Sequence, residues 1–202
     1  QTFARELQRS PAQQAASAYM NFLIRPDAEA LLAERDFARL WPFFDAMGAS
    51  GGAAMQQAAA ALAGDAARPG DEANAPVLPD GAGWMTDALR AQYRAVWSGD
   101  GSRPGAGLTG GLNYYRASPL RPPRAGDAAA AGVTLPPEAF TVALPTLVLW
   151  AMQDSALLPG LLDGLERWVP RLQVERIERA THWVVHEQPQ RVAASIGRFL
   201  AT

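Results

Sequence analysis

Apolar residues recur at helical spacing through the first 47 positions. Phe3, Leu7, Ala15, Tyr19, Phe22 and Leu23 keep an approximate 3.6-residue period. Pro11 suits the first turn of a second helix, where a missing N–H leaves no intrahelical bond unmade. Asp27, after Pro26, is placed to cap a third helix through its side chain, and the pattern repeats from Asp36 to Phe44. Residues 48–83 are then dominated by Ala, Gly, Pro and Asp, and 64–83 read as a flexible insertion rather than core. Trp84 to Trp97 is amphipathic again, with Leu89, Tyr93 and Val96 assigned to one face. Gly99 to Gly111 interrupts it, Leu112 to Arg116 restores order, and a Pro- and Ala-rich linker occupies 121–139.

The period then changes. The run Thr146-Leu-Val-Leu-Trp150 is short, apolar and partly β-branched, and Leu172-Gln-Val-Glu-Arg-Ile177 is a second strand-like run. A helical segment is expected between them, and a closing helix opens at Pro189. Successive strands joined through a helix pair in parallel. The chain therefore divides into a helical part, 1–120, the linker, and an α/β part, 140–202. Two strands do not make a stable sheet alone. Leu147, Leu149 and Val174 are accordingly expected on an under-covered face, through which the chain would self-associate.

Composition narrows the classes. The chain has 202 residues, 49% hydrophobic and 19% charged, with a net charge of −2. It has no basic footprint for nucleic acid or an anionic membrane. All 18 basic residues are Arg, and with no Cys there is neither disulfide, thiol nucleophile nor Cys metal site. No apolar run reaches the length of a membrane span, and no signal-peptide pattern is seen, so a cytoplasmic location is the expectation.

The candidate chemistry lies at the strand ends. Asp154 follows the first strand and His182 the second, the arrangement a charge-relay pair needs. Asp154 also reads as an ordinary strand-end cap, and His182 as a structural histidine. His186, four residues after His182, invites a zinc reading. Pro189 at the start of the closing helix leaves 182–186 as loop, and no third ligand is near, so local hydrogen bonding that orients the loop is the better expectation for it. Gly48-Ala-Ser50-Gly-Gly52 satisfies a nucleophile-elbow pattern, but the preceding Leu40 to Met47 contains Pro42 and is not a strand. Gly99-Asp100-Gly101 is a turn signal only.

These residues resemble the α/β-hydrolases, and within them the epoxide hydrolase and haloacetate dehalogenase branch. Thr181-His182-Trp183 followed by His186-Glu187-Gln-Pro189 is similar to the branch's histidine loop. Phe3-Ala-Arg-Glu-Leu with Gln13-Gln14-Ala-Ala-Ser17-Ala-Tyr19 resembles the opening of its helical cap, and Asn113-Tyr114-Tyr115-Arg116 the segment that carries a cap tyrosine. The resemblance implies a partial α/β-hydrolase fold: a helical cap over 1–120, then the last two parallel core strands with their helices.

It also implies opening of a small apolar epoxide to a diol through an aspartyl ester, with no cofactor. His182 would be the base, Asp154 its orienter, and Tyr115 and Tyr19 the donors to the epoxide oxygen; Tyr114 is the adjacent competitor. A blind reading leaves both tyrosines as core. The sequence departs from the pattern in three places: the elbow aspartate and oxyanion loop are expected upstream of Gln1, Ala151 stands where the branch has Gly, and the 64–83 insertion is long. Alternatives are a haloacetate or haloalkane dehalogenase, or an inactive truncated fragment. Diol against halide release separates the two enzymes.

Overall fold

The computed structural model describes residues 2–48, 55, 59, 62, 84–124 and 139–201. Ser50, the 64–83 insertion and most of the 121–139 linker therefore lie outside the described residues.

The helical period of the first 47 residues resolves into five short helices: α1 (Thr2–Arg9), α2 (Pro11–Ala16), α3 (Met20–Leu23), α4 (Ala28–Phe37) and α5 (Leu40–Met47). Ser10 caps α2 by accepting from the Gln13 N–H, with Pro11 in the first turn. The inward positions of α2 are Gln13 and Ala16, with Ser17 just beyond, and Ala15 is only half-buried. Two polar residues thus occupy a face that hydrophobic periodicity assigns elsewhere.

Asp27 precedes α4 but makes no side-chain cap. Both its carboxylate oxygens instead accept from Arg25, at 2.8 and 2.6 Å. Helical geometry in α4 ends before Glu34, and Arg35, Asp36 and Phe37 all carry positive φ. Left-handed backbone costs a residue with a Cβ about 1–2 kcal/mol, so contacts must hold it. Phe37 packs at 5.4 Å from the Trp97 ring, Asp36 pairs with Arg94 at 2.6 Å, and Arg39 donates to Glu34 at 3.1 Å. Pro42 sits in the first turn of α5, so the stretch before Ser50 is helix and not the strand an elbow requires.

Helix α6 (Asp87–Ser98) is capped by Thr86, which accepts from the Leu89 N–H. Its inward face ends on buried Trp97, whereas Val96 is exposed. Assigning the apolar stripe to Val96 shifts the face by one residue. The glycine-rich break closes sooner than expected, because Gly110 and Gly111 already belong to α7 (Thr109–Ala117). The turn Ala106–Leu108 lies directly on the end of α6, where a Cβ on Gly107 would overlap the Val96 carbonyl oxygen.

Helices α3 to α7 enclose one aromatic-rich core, with Tyr19, Phe22, Phe43, Trp41 and Trp97 buried in it. Arg116 on α7 clasps this layer by donating to both oxygens of Glu29, at 2.7 Å each.

Strands β1 (Thr146–Ala151) and β2 (Leu172–Ile177) pair in parallel, Thr146 against Leu172 through Ala151 against Ile177. The crossover contains no α-helix. It holds two 3-10 turns, Pro159–Leu162 and Leu165–Arg167, because Pro159, Gly160 and the left-handed Gly164 break any longer helix. Leu147, Leu149 and Val174 are half-buried rather than fully exposed. One-turn helix α8 (Val184–Glu187) and closing helix α9 (Pro189–Leu200) follow, and α9 leaves Ile196 and Leu200 exposed.

Two outcomes test these contacts. Gly107→Ala is expected to cost more than about 2 kcal/mol in urea unfolding, because the backbone must move apart. Arg116→Met removes the bidentate partner of a nearly buried carboxylate, leaving it Arg103 at 4.0 Å, and should cost about 1–3 kcal/mol at pH 7. Bonding to Arg116 holds the Glu29 carboxyl at about 2, against an ordinary 4.5. The pair's contribution is complete above pH 4.5 and is lost as pH falls towards 2. The gap between wild type and Arg116→Met should therefore close over that window.

Candidate active site

Parallel pairing carries on past both strands, with the Met152 N–H donating to Ile177 O and the Gln153 N–H to Ala180 O, each at 3.0 Å. These two bonds set the acid loop beside the histidine loop. Asp154 then divides its carboxylate between two tasks. Oδ1 accepts from the N–H groups of Ala156 and Leu157, at 2.8 and 2.9 Å. Oδ2 lies 2.9 Å from His182 Nδ1. The capping and the relay geometry thus coexist in one side chain. An ionised carboxylate only accepts, so the neutral ring carries its proton on Nδ1 and leaves Nε2 as acceptor.

His182 lines a cavity of about 270 Å³ together with Tyr115, Phe43, Phe44, Trp97 and Trp183. Its wall is aromatic and aliphatic, and among the described residues Tyr115 and His182 are its titratable members. The structure therefore brings Asp154, His182 and Tyr115 to one place. Tyr19 is 5% exposed and stands among the core aromatics, 5.1 Å from Phe43 and edge-on to Tyr115 at 6.0 Å between ring centroids. It does not line the cavity itself and meets it through the ring of Tyr115. Burial pushes both phenols above their ordinary 10, Tyr19 well above it with help from Tyr115 and Asp154, so both stay protonated donors at neutral pH. Tyr114 is 75% exposed, outside this arrangement.

His186 makes no such contribution. Its ring stacks on Trp84 at 4.1 Å and 7° between planes. The orienting contact of the loop comes from Glu187, whose Oε2 accepts from the Thr181 N–H at 2.9 Å and whose Oε1 accepts from its hydroxyl at 2.5 Å. Among the described residues no group of three or more His, Cys, Asp or Glu is assembled to hold a metal, and no helix is long and apolar enough to cross a membrane.

No protein-family model matches the chain. The AB hydrolase superfamily protein YfhM of Bacillus subtilis is 32% identical over 123 residues, which are 61% of this chain and 37% of that protein. Epoxide hydrolase srdG of Neurospora crassa is 36% identical over 58 residues, 28% of this chain and 17% of that one. The crystal structure of Bacillus megaterium epoxide hydrolase in complex with an inhibitor is similar over 100% of this chain and 57% of its own, with a TM-score of 0.66 at 24% identity. The chain is similar to proteins of the α/β-hydrolase superfamily. It carries part of the α/β-hydrolase fold, spanning 37% of the first relative and 57% of the solved structure.

Within this partial α/β-hydrolase fold, three side chains fix the two loops against the helical part. Trp183 Nε1 donates to Phe44 O at 2.9 Å, and its ring stacks on Phe44 at 5.1 Å. The buried Ser155 hydroxyl donates to Ala46 O at 3.1 Å. Gln13 reaches Ala156 O at 2.8 Å from α2. Sequence reasoning missed Ser155, Glu187 and Gln13 as site residues, since each is polar and its partners, largely backbone groups, are set by the fold. For Glu187, its place inside the histidine-loop match was the available signal.

Removing the Glu187 carboxylate leaves the buried Thr181 N–H and hydroxyl without their acceptor. Glu187→Ala should lower unfolding free energy by about 1–3 kcal/mol and speed amide exchange at Thr181. Unchanged exchange there would show that the carboxylate does not hold the loop.

Proposed function

We propose that this chain belongs to an epoxide hydrolase and supplies its helical cap and the acid–histidine end of its core. The observation that carries the reading is the Asp154–His182 pair opening, through the imidazole, into an apolar cavity with a protonated phenol on its wall. In this reading a carboxylate attacks one carbon of the strained ring. The carbon–oxygen bond breaks, and the alkoxide is stabilised and protonated by Tyr115, with Tyr19 donating alongside or through it. The product of this first step is an ester between protein and substrate.

Water held at His182 Nε2 then loses a proton to the ring and adds to the ester carbonyl. The tetrahedral adduct collapses by breaking its bond to the substrate oxygen, which takes the adduct's hydroxyl proton. The diol leaves, the carboxylate is regenerated, and the imidazolium's proton returns to the Tyr115 phenolate left by the first step. Asp154 Oδ2 stabilises the imidazolium formed in between. No carboxylate lines the cavity among the described residues, and in this reading the attacking aspartate comes from elsewhere in the protein. The aromatic wall suits a small apolar epoxide. Water consumed in the second step is the only co-reactant.

A dehalogenase would share the acid–histidine pair but must stabilise a leaving halide. The indole N–H of Trp183, on the cavity wall, is already bonded to Phe44 O, whereas the Tyr115 phenol suits an alkoxide. A second reading, that this polypeptide alone is silent and self-associates, is favoured by the half-buried Leu147, Leu149 and Val174 on the two-strand unit. Sedimentation of the isolated chain is then expected to show concentration-dependent association, and a cooperative monomer at all concentrations would rule it out.

The direct test of the epoxide reading is product analysis with the attacking carboxylate present. A styrene-oxide-type epoxide should give diol, and a haloacid should release no halide. Tyr115→Phe should slow ring opening about tenfold or more, by loss of one oxyanion donor. Halide release, or an unchanged rate in Tyr115→Phe, would contradict the assignment.

A further inference from the structure

We propose that Gln13 is a positioning residue for the acid–histidine pair: its buried amide holds residues 156–158 in the turn that aims the Asp154 carboxylate at His182. Gln13 is 1% exposed. Its Nε2 donates to Ser17 Oγ at 2.9 Å and to Ala156 O at 2.8 Å, while Oε1 accepts from the Leu158 N–H at 3.1 Å. The orientation of the amide has one solution, because a carbonyl only accepts and a peptide N–H only donates.

Two of the three bonds go to the acid loop. Asp154 Oδ1 grips the same loop from the other side, through the N–H groups of Ala156 and Leu157. Residues 156–158 are therefore held between the acid they follow and a side chain some 140 residues away in sequence. Without Gln13, the carbonyl of the fully buried Ala156 and the Leu158 N–H lose their partners, and the turn relaxes to recover others. Oδ1 then loses its fixed donors and the carboxylate turns away from Nδ1. The third bond, to Ser17, fixes the same amide two residues before Tyr19, so one side chain ties the acid to the segment carrying a phenol.

This role rests on the relay reading of Asp154 and His182, and its test reads the imidazole instead of turnover. The measurement is the ring nitrogen spectrum of His182 in the 202-residue chain, at a pH where the ring is neutral. The chain has two histidines, so His186→Gln assigns the signals. The unaltered chain is expected to hold the Nδ1–H tautomer alone. Asp154→Asn, which keeps the shape but offers a donor, should replace it with the Nε2–H form.

Gln13→Met fills the same space without hydrogen bonds and should convert a substantial share of the ring, at least about one part in three, to that form. A folded Gln13→Met chain with a wild-type tautomer would overturn the role of Gln13. A wild-type tautomer in Asp154→Asn would overturn the relay itself. If Gln13→Met does not fold, amide exchange of the unaltered chain decides. Leu158 protected at least 100-fold and opening together with α2 supports the clamp, and exchange at the free-peptide rate overturns it.

Discussion

Both oxygens of the Asp154 carboxylate are committed, and the site follows from that division. Oδ1 is fixed by two backbone N–H groups of its own loop, and the second oxygen is thereby fixed in direction. Held so, Oδ2 meets His182 Nδ1 at hydrogen-bond distance and selects the ring tautomer. A free-swinging carboxylate would lose rotamer entropy each time it made that bond; this one has lost it on folding. The strand pairing that runs on through Met152 and Gln153 brings the histidine loop alongside at the same level.

The helical part depends on the same loops. Its seam with the strand part is made largely of side chains reaching backbone carbonyls: Arg5 to Gly160 and Asp163, Gln13 to Ala156, Ser155 to Ala46, Trp183 to Phe44. Bonds of this kind fix one surface against another without requiring a matched side chain on the far side. They leave the cavity wall free to be apolar, and burial pushes the phenol of Tyr115 on that wall, and of Tyr19 behind it, above its ordinary value. The left-handed turn at Arg35 to Phe37 is held separately, by the packing of Phe37 on Trp97.

Much of this was legible in the sequence where the signal is local. The strands at 146–151 and 172–177 and the proline-opened helices follow from composition and period, and so does the position of Asp154 and His182 at strand ends. What was not legible depends on distant partners. Asp27 reads as a cap, yet Arg25 takes its carboxylate. Val96 and Trp97 are both apolar neighbours, and only the packing against Trp41 decides which turns inward. Gln13 and Ser17 count as solvent-facing on any hydropathy scale, although both are buried by groups brought from residues 156–158 or from each other. The tyrosines are core by pattern, and Tyr19 is indeed packed as core, edge-on to the one that lines the cavity.

The central claim is that His182, aligned by Asp154, serves the hydrolytic half of a two-step reaction and not the first. The most direct measurement is the intact mass of a His182→Gln protein that also carries the attacking carboxylate, after mixing with a small apolar epoxide. The account predicts a stable adduct of one substrate mass per site, with diol release suppressed by orders of magnitude. Diol formation at the wild-type rate with no adduct would contradict it.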